Sequence, residues 1–239
     1  MNVITLDFET YYDTQHSLSH LSTVQYVASD LFKVWGVGIK INDAQTEWFG
    51  ADECTDAIKA IQWDESAVVC HNTLFDAYIL TQHYNCTPKY YYDTAAMARG
   101  LAPNESASLK ATCERMFPDD KTMRKGDELV NAKGIFDLPP DIEEQIAGYC
   151  IQDVDLTHAL YSRMQPSYPQ SELDLIDLTC RMFVEPKLVL NKPLLIAHKE
   201  EVIQNTLQYI AASGLSRAQL ASQKQFAEHL ESINITVPT

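Results

Sequence analysis

The sequence predicts an α/β fold: a mixed β-sheet flanked by helices over residues 1–165, followed by a helical extension over residues 166–239. Three observations carry this. Short apolar, β-branched runs alternate with helically spaced segments through the first 165 residues, one long helical pattern closes that region, and only helical patterns of any length follow it. At 239 residues and 46% hydrophobic, the chain can bury a sizeable core as one large domain or as a domain with a helical appendage.

The first strand, Val3-Ile4-Thr5-Leu6-Asp7-Phe8-Glu9-Thr10, alternates strictly, with Ile4, Leu6 and Phe8 on one face and Val3, Thr5, Asp7 and Glu9 on the other. Tyr11 to Asp30 is polar and irregular, a loop with a short helix. Lys33–Ile41 and Thr46–Phe49 form a hairpin across the Asn42-Asp43 turn. Cys54–Trp63 has helical spacing, Ala67–Cys70 is a short strand, and a helix is expected over Thr73–Tyr84. Tyr90–Asp93 fits an amphipathic edge strand better than a base-stacking platform. Ser108–Phe117 opens a helical region and Lys125–Pro140 is loop-like, with Gly126, Gly134 and Pro139-Pro140 as punctuation. A long helix follows from Asp141 to Met164, ended by Pro166-Ser167-Tyr168-Pro169, the best domain boundary. Three more helical patterns come after it, with an extended piece at Lys187–Leu190; Pro193 opens one of these helices and Gly214 closes it.

Composition excludes several classes. No run of eighteen apolar residues exists, so no membrane-spanning helix is expected. The first strand starts two residues after Met1, which leaves no room for a signal or transit peptide. Six cysteines without a C-x-x-C pair suit reduced thiols in a cytoplasmic compartment. The net charge of −15 has the wrong sign for a protein that grips nucleic acid by its own surface field, so such binding would need metal ions or a partner.

The acids have a pattern. Asp7 and Glu9, at i and i+2, share a face about 6.5–7 Å apart along the strand. Buried together they demand a cation, and a divalent metal is the simplest; on an exposed strand end they would merely add solubility. Asp76 falls in the first helical turn after the Ala67–Cys70 strand, where it can ligate a cation or simply compensate the helix N-terminus. Tyr149 and Asp153, at i and i+4, stack on one face of the long helix, with Ala147, Ile151, Val154 and Leu156 covering the rest of its buried surface. A core tyrosine beside a solvated aspartate would look the same. Asp155, His158 and the Asp141-Glu143-Glu144 group read as that helix's wet face.

D-x-E on a first strand, N-x3-D at a strand-to-helix turn and Y-x3-D on a late helix together resemble the proofreading 3′→5′ exonucleases with a DEDD metal site, in the branch that uses tyrosine. The alternative branch needs a histidine at position 148, which is Gly148 here. The pattern looks most like the exonuclease domain of family A DNA polymerases, especially phage enzymes. Asp93-Thr94 and the Ser108-Leu109-Lys110 helix fit it too, and the segment from Leu178 to Leu188 looks, more loosely, like the lead into a polymerase domain.

The resemblance implies a ribonuclease H-like fold and a two-metal phosphodiester hydrolase, using Mg²⁺ or Mn²⁺, that trims a single-stranded DNA 3′ end for a polymerase domain supplied in cis or in trans. It implies a cytoplasmic setting, that of the host if the protein is phage-encoded. Asp7, Glu9 and Asp153 would hold the metal that activates water, with Asp7 bridging to a second metal anchored by Asp76. Tyr149 would orient the water, and Thr10, Asn72 and Phe75 would contact the terminal nucleotide. A ribonuclease D-like exoribonuclease and a catalytically silent strand-binding scaffold are the competing readings. No polymerase palm or fingers follow before Val237-Pro238-Thr239, which suggests a fragment of a larger polymerase or a stand-alone relative.

Overall fold

The computed structural model describes residues 1–125 and 132–236. Parts of two expectations, the Lys125–Pro140 loop at 126–131 and the chain end at 237–239, lie outside the described residues.

Strand β1 (Asn2–Thr10) is the centre of a five-stranded sheet. After it come α1 (Thr23–Val27) and the hairpin β2 (Val34–Ile41) and β3 (Glu47–Gly50). Then come α2 (Cys54–Lys59), β4 (Ser66–Cys70), α3 (Thr73–Tyr78), β5 (Tyr90–Asp93), α4 (Thr94–Leu101) and α5 (Leu109–Met116). The 25-residue helix α6 spans Pro140–Met164 and α7 spans Gln170–Val184.

The sheet order is β3-β2-β1-β4-β5, with β1 antiparallel to β2 but parallel to β4, and β4 parallel to β5. This is the ribonuclease H-like mixed sheet. Both faces of its middle strands are covered, which the run Ser66-Ala67-Val68-Val69-Cys70, buried throughout, reflects. On one face Ile4, Leu6, Phe8 and Val68 meet Ile79 and Leu80; on the other Val69 and Tyr92 meet Met97, Leu156 and Leu160.

Helix α6 crosses β1 and β2 closely because Gly38 has no side chain: a Cβ there would stand 2.9 Å from the Cys150 sulfur and 3.0 Å from a Val154 methyl. At the far edge β5 leaves backbone donors unpaired, and α7 covers them. The Tyr91 N–H donates to Asp177 Oδ1 at 2.8 Å and the Tyr91 hydroxyl to Glu185 at 3.0 Å, while Arg181 pairs with both acids.

Several details depart from the sequence expectations. The helix expected over Thr73–Tyr84 is regular only to Tyr78 and then widens into a π-type turn over Ile79–His83. Helix α4 was not anticipated. The buried stripe of α6 runs through Ile146, Cys150, Asp153, Val154, Leu156 and Thr157, whereas Ala147 and Ile151 are only half-buried. His158, expected on the wet face, instead shares a 3.0 Å hydrogen bond with the buried Thr5 hydroxyl, because β1's polar residues face α6. Asp155 is half-exposed and pairs with Lys40 at 3.1 Å.

The first compact unit is Met1–Lys187, so α7 belongs with the sheet. Leu188–Thr239 forms a second unit, with α8 (Lys192–Ser213), α9 (Arg217–Ala221) and α10 (Gln223–Ser232). Asn191 caps α8 through its side chain and Gly214, at φ +67°, ends it in the left-handed conformation that glycine adopts freely. Among the described residues no helix is long and apolar enough to cross a membrane.

Candidate active site

Strand β1 outruns its parallel neighbour: pairing with β4 stops at Thr5–Val69, while pairing with β2 continues to a bulge between Glu9 and Thr10. The end of β1 therefore has free backbone donors on the β4 side. One of them, the Phe8 N–H, donates to Asp76 Oδ1 at 3.0 Å. Asp76 reaches it from the first turn of α3, which starts directly behind β4 through Asn72 in the left-handed conformation (φ 70°). A hydrogen bond linking residues 68 apart thus ties the second acidic motif to the first.

Asp7 and Glu9 lie under α6. The Cys150 thiol donates to the Asp7 carbonyl at 3.3 Å and stands 3.8 Å from its carboxylate. Ligand-capable atoms of Asp7, Glu9 and Cys150 all fall within 4.8 Å of one another. One helical turn apart on α6, Tyr149 and Asp153 face the same place. Asp153 Oδ2 pairs with the Lys125 ammonium, which lies 4.6 Å from the centre of the Tyr149 ring.

Electrostatics binds these groups into one cluster. Burial, reinforced by Asp153 and opposed by Lys125 and Cys150, pushes the Asp7 carboxyl up to about 7. Burial also holds Glu9 well above the carboxylate range, with Asp7 and Asp153 adding to it. Asp76 is raised by burial and then by Asp7, against the Phe8 N–H. Burial raises Asp153 even with Lys125 beside it. Four carboxyl groups whose ionisation is made harder than usual by burial, and for three of them by one another, mark a site short of positive charge. The donors are predominantly carboxylate oxygens, and buried Asp153 Oδ1 has no hydrogen-bond partner among the described residues. Hard divalent cations such as Mg²⁺ and Mn²⁺ fit such a set.

The structure therefore brings together Asp7, Glu9, Asp76, Tyr149 and Asp153. The other three sequence candidates stand around the rim. The Thr10 hydroxyl is bonded to the Tyr26 hydroxyl at 2.8 Å, which directs it into the protein. Asn72 is exposed, its N–H donating to Asp93 at 3.1 Å. Phe75 is half-buried, its ring tilted against Tyr26 at 5.9 Å. Sequence reasoning missed Lys125 and Cys150. Cys150 could have been found, since it sits between Tyr149 and Asp153 in a buried stripe; nothing local marks Lys125 as a partner of Asp153.

Residues 37–168, more than half of the chain, match a family model described as 3′-5′ exonuclease. The match begins after Asp7 and Glu9, which only the fold joins to the rest. Among solved structures the chain is similar to Trypanosoma brucei RNase D, at 14% identity and TM-score 0.58, covering 80% of this chain and 68% of that one. It is similar to the catalytic core of RRP6 from the same organism, at 14% identity and TM-score 0.54, covering 76% of this chain and 46% of that one. Brucella melitensis NrnC aligns at 15% identity and TM-score 0.51, covering 76% and 81%. At these identities the likeness is one of fold. No curated protein sequence matches the chain. A family match across β2 to α6, on a sheet whose central strand delivers two acids to α6, identifies this chain as a member of the 3′-5′ exonuclease family.

Proposed function

We propose that the chain trims single-stranded or frayed DNA 3′ ends to nucleoside 5′-monophosphates, as the proofreading module of a phage-like family A DNA polymerase. The observation that carries the chemistry is the convergence of four carboxyl groups, Asp7, Glu9, Asp76 and Asp153, at the end of β1 beside a tyrosine. A silent scaffold would have no use for four intact, mutually repelling acids.

Asp7, Glu9 and Asp153 would hold one divalent cation, and Asp7 with Asp76 a second. When bound, such a pair supplies activation of water and neutralisation of the departing 3′ oxygen. Tyr149 orients the attacking water; burial raises its phenol above the usual range, so it serves as a hydrogen-bonding guide and not as a base. Asn72 and Phe75 flank the position of the terminal nucleotide, and Thr10 shapes the strand end through Tyr26. In this reading the polymerase body also answers the charge problem, since its basic cleft would hold the duplex that a chain of net charge −15 repels. It would also cover α8, which has no buried residue and exposes Leu194, Leu195 and Ile196.

A second reading is favoured by the fold likeness to ribonuclease D, one structure of which is described as a complex with RNA U12 (13% identity, TM-score 0.54). The test is a time course on 5′-labelled DNA and RNA oligonucleotides of one sequence, plus a 3′-mismatched primer-template, with and without EDTA. Faster, metal-dependent loss of the mismatched DNA end supports proofreading. Preference for the RNA strand would move the chain to the exoribonuclease reading, and no cleavage of either would refute both.

A further inference from the structure

In an acidic chain, one lysine is led into the carboxylate cluster by a series of local contacts. Asp120 caps a short turn over Lys121–Met123, accepting from the Thr122 N–H at 2.9 Å and from its hydroxyl at 2.6 Å. Arg124 then folds back, its guanidinium donating to the carbonyls of Phe117 at 3.2 Å and Pro118 at 2.7 Å. The Arg124 carbonyl accepts from Gln152 Nε2 at 3.1 Å, one residue before Asp153 on α6. With its neighbour tied to both α5's end and α6, Lys125 is delivered to the site with its side chain 22% exposed against 10% for Asp153.

There the ammonium contacts both functional groups of the late motif. It pairs with Asp153 Oδ2 and lies over the Tyr149 ring, 4.6 Å from its centre. It takes only one carboxylate oxygen. Oδ1 of Asp153 is buried and has no partner among the described residues, a costly state for an anionic oxygen unless something is meant to meet it. A lysine that competed with a cation for Asp153 has no reason to leave that oxygen clear. A lysine that orients Asp153 does.

We propose that Lys125 is a positioning residue that clamps Asp153 Oδ2 and Tyr149 as one unit, so that Asp153 Oδ1 is presented to a divalent cation. The inference rests on the metal-dependent reading above and adds a residue to it. It also accounts for why Tyr149 and Asp153, one turn apart on a helix, need a third group: the helix sets their spacing, but χ rotations of each remain to be fixed.

The experiment is direct titration of the full chain with Mn²⁺, free ion being read by electron paramagnetic resonance, on wild type, Lys125→Met, Lys125→Arg and Asp7→Ala. The clamp predicts about tenfold weaker Mn²⁺ binding in Lys125→Met, the effect typical of losing a group that orients a metal ligand. Lys125→Arg, which keeps the charge and the donors, should recover most of it. Single-turnover cleavage at saturating Mn²⁺ should slow in Lys125→Met, and adding Tyr149→Phe should cost little more, because the two changes undo the same arrangement. Tighter Mn²⁺ binding in Lys125→Met would make the lysine a competitor and overturn the proposal. Unchanged binding, or rate losses that simply multiply, would overturn it as well. Should Lys125→Met lose its far-ultraviolet circular dichroism, Lys125→Gln takes its place with the same expectations. Absence of Mn²⁺ binding in wild type, or equal binding in Asp7→Ala, would instead strike the metal-dependent reading itself.

Discussion

Two acidic sites lie at the carboxyl-terminal edge of the same sheet and behave in opposite ways. At the end of β5, Asp93 is 5% exposed and fully served: its Oδ1 accepts from the N–H groups of Asn72, Ala95 and Ala96 at 3.1, 2.9 and 3.2 Å. It caps α4 and ties the Asn72 turn to the next strand. At the end of β1, Asp7 meets a thiol at 3.8 Å and feels Asp153 more strongly than Lys125, and its carboxyl is pushed up to about 7. Asp93 is the more deeply buried of the two, and the donors differ. A carboxylate given three donors by the backbone is a structural part; four carboxylates served by the Phe8 N–H and one ammonium are still short of positive charge.

Substitutions should separate the two sites. The largest effect is expected at β1 and α6: Asp7→Ala or Asp153→Ala should lower 3′→5′ degradation of a single strand on the order of 10³-fold or more while the circular dichroism spectrum stays folded. Near-wild-type cleavage in either variant would dissolve the contrast. Next, Tyr149→Phe should slow single-turnover cleavage about 100-fold, as loss of a precisely placed water would, with much less change in DNA affinity. Equal losses in rate and affinity would remove its role in orienting water.

The third effect is on stability. A carboxyl group whose folded value is raised from the ordinary range near 4 to about 7 binds its proton more tightly folded than unfolded, so its ionisation opposes folding. In EDTA the melting temperature should therefore fall as pH rises from about 4 through about 7, and Asp7→Asn should flatten that slope. Mn²⁺ should raise the melting temperature at pH 8 by several degrees and by less at pH 5, where protons compete for the ligands. A metal-free protein that gains stability between pH 4 and 7 would contradict the charge-starved description of the site. The smallest effect is expected at β5. Asp93→Ala should cost about 1 kcal/mol of stability, a few degrees in melting temperature, through loss of the α4 cap. Cleavage by this variant at a temperature where it is folded should fall far less than for Asp7→Ala.

The legibility of the molecule follows the same division between local and distant. The strands and α6 were readable because alternation and helical spacing are written into neighbouring residues, and the pairs Asp7/Glu9 and Tyr149/Asp153 were readable for the same reason. Helix α4 escaped notice although Asp93-Thr94 carries its cap, because Asp93 reads equally well as the end of a tyrosine-rich strand. The wet face assigned to His158 failed because Thr5, on the polar side of β1, offered it a buried partner 153 residues away. The π-type turn at Ile79–His83 has no signature in spacing. Its Leu80 and Ile79 pack with the core while Thr81 and Gln82 bond the Val184 carbonyl at the end of α7.

By itself the sequence determined which residues share a strand edge or a helix face, because backbone periodicity of 2 and 3.6 is a property of consecutive residues. Only the tertiary structure decided that Asp7, Asp76 and Asp153 meet, that Gly38 lets α6 pack closely over β1 and β2, and that Lys125 arrives among them. Those distances depend on how the chain closes across 69 (Asp7 to Asp76) to 146 (Asp7 to Asp153) residues and on which surfaces pack. Bringing the acids to one place under α6 is what turns them into a cluster that needs a cation, and no stretch of sequence contains that place.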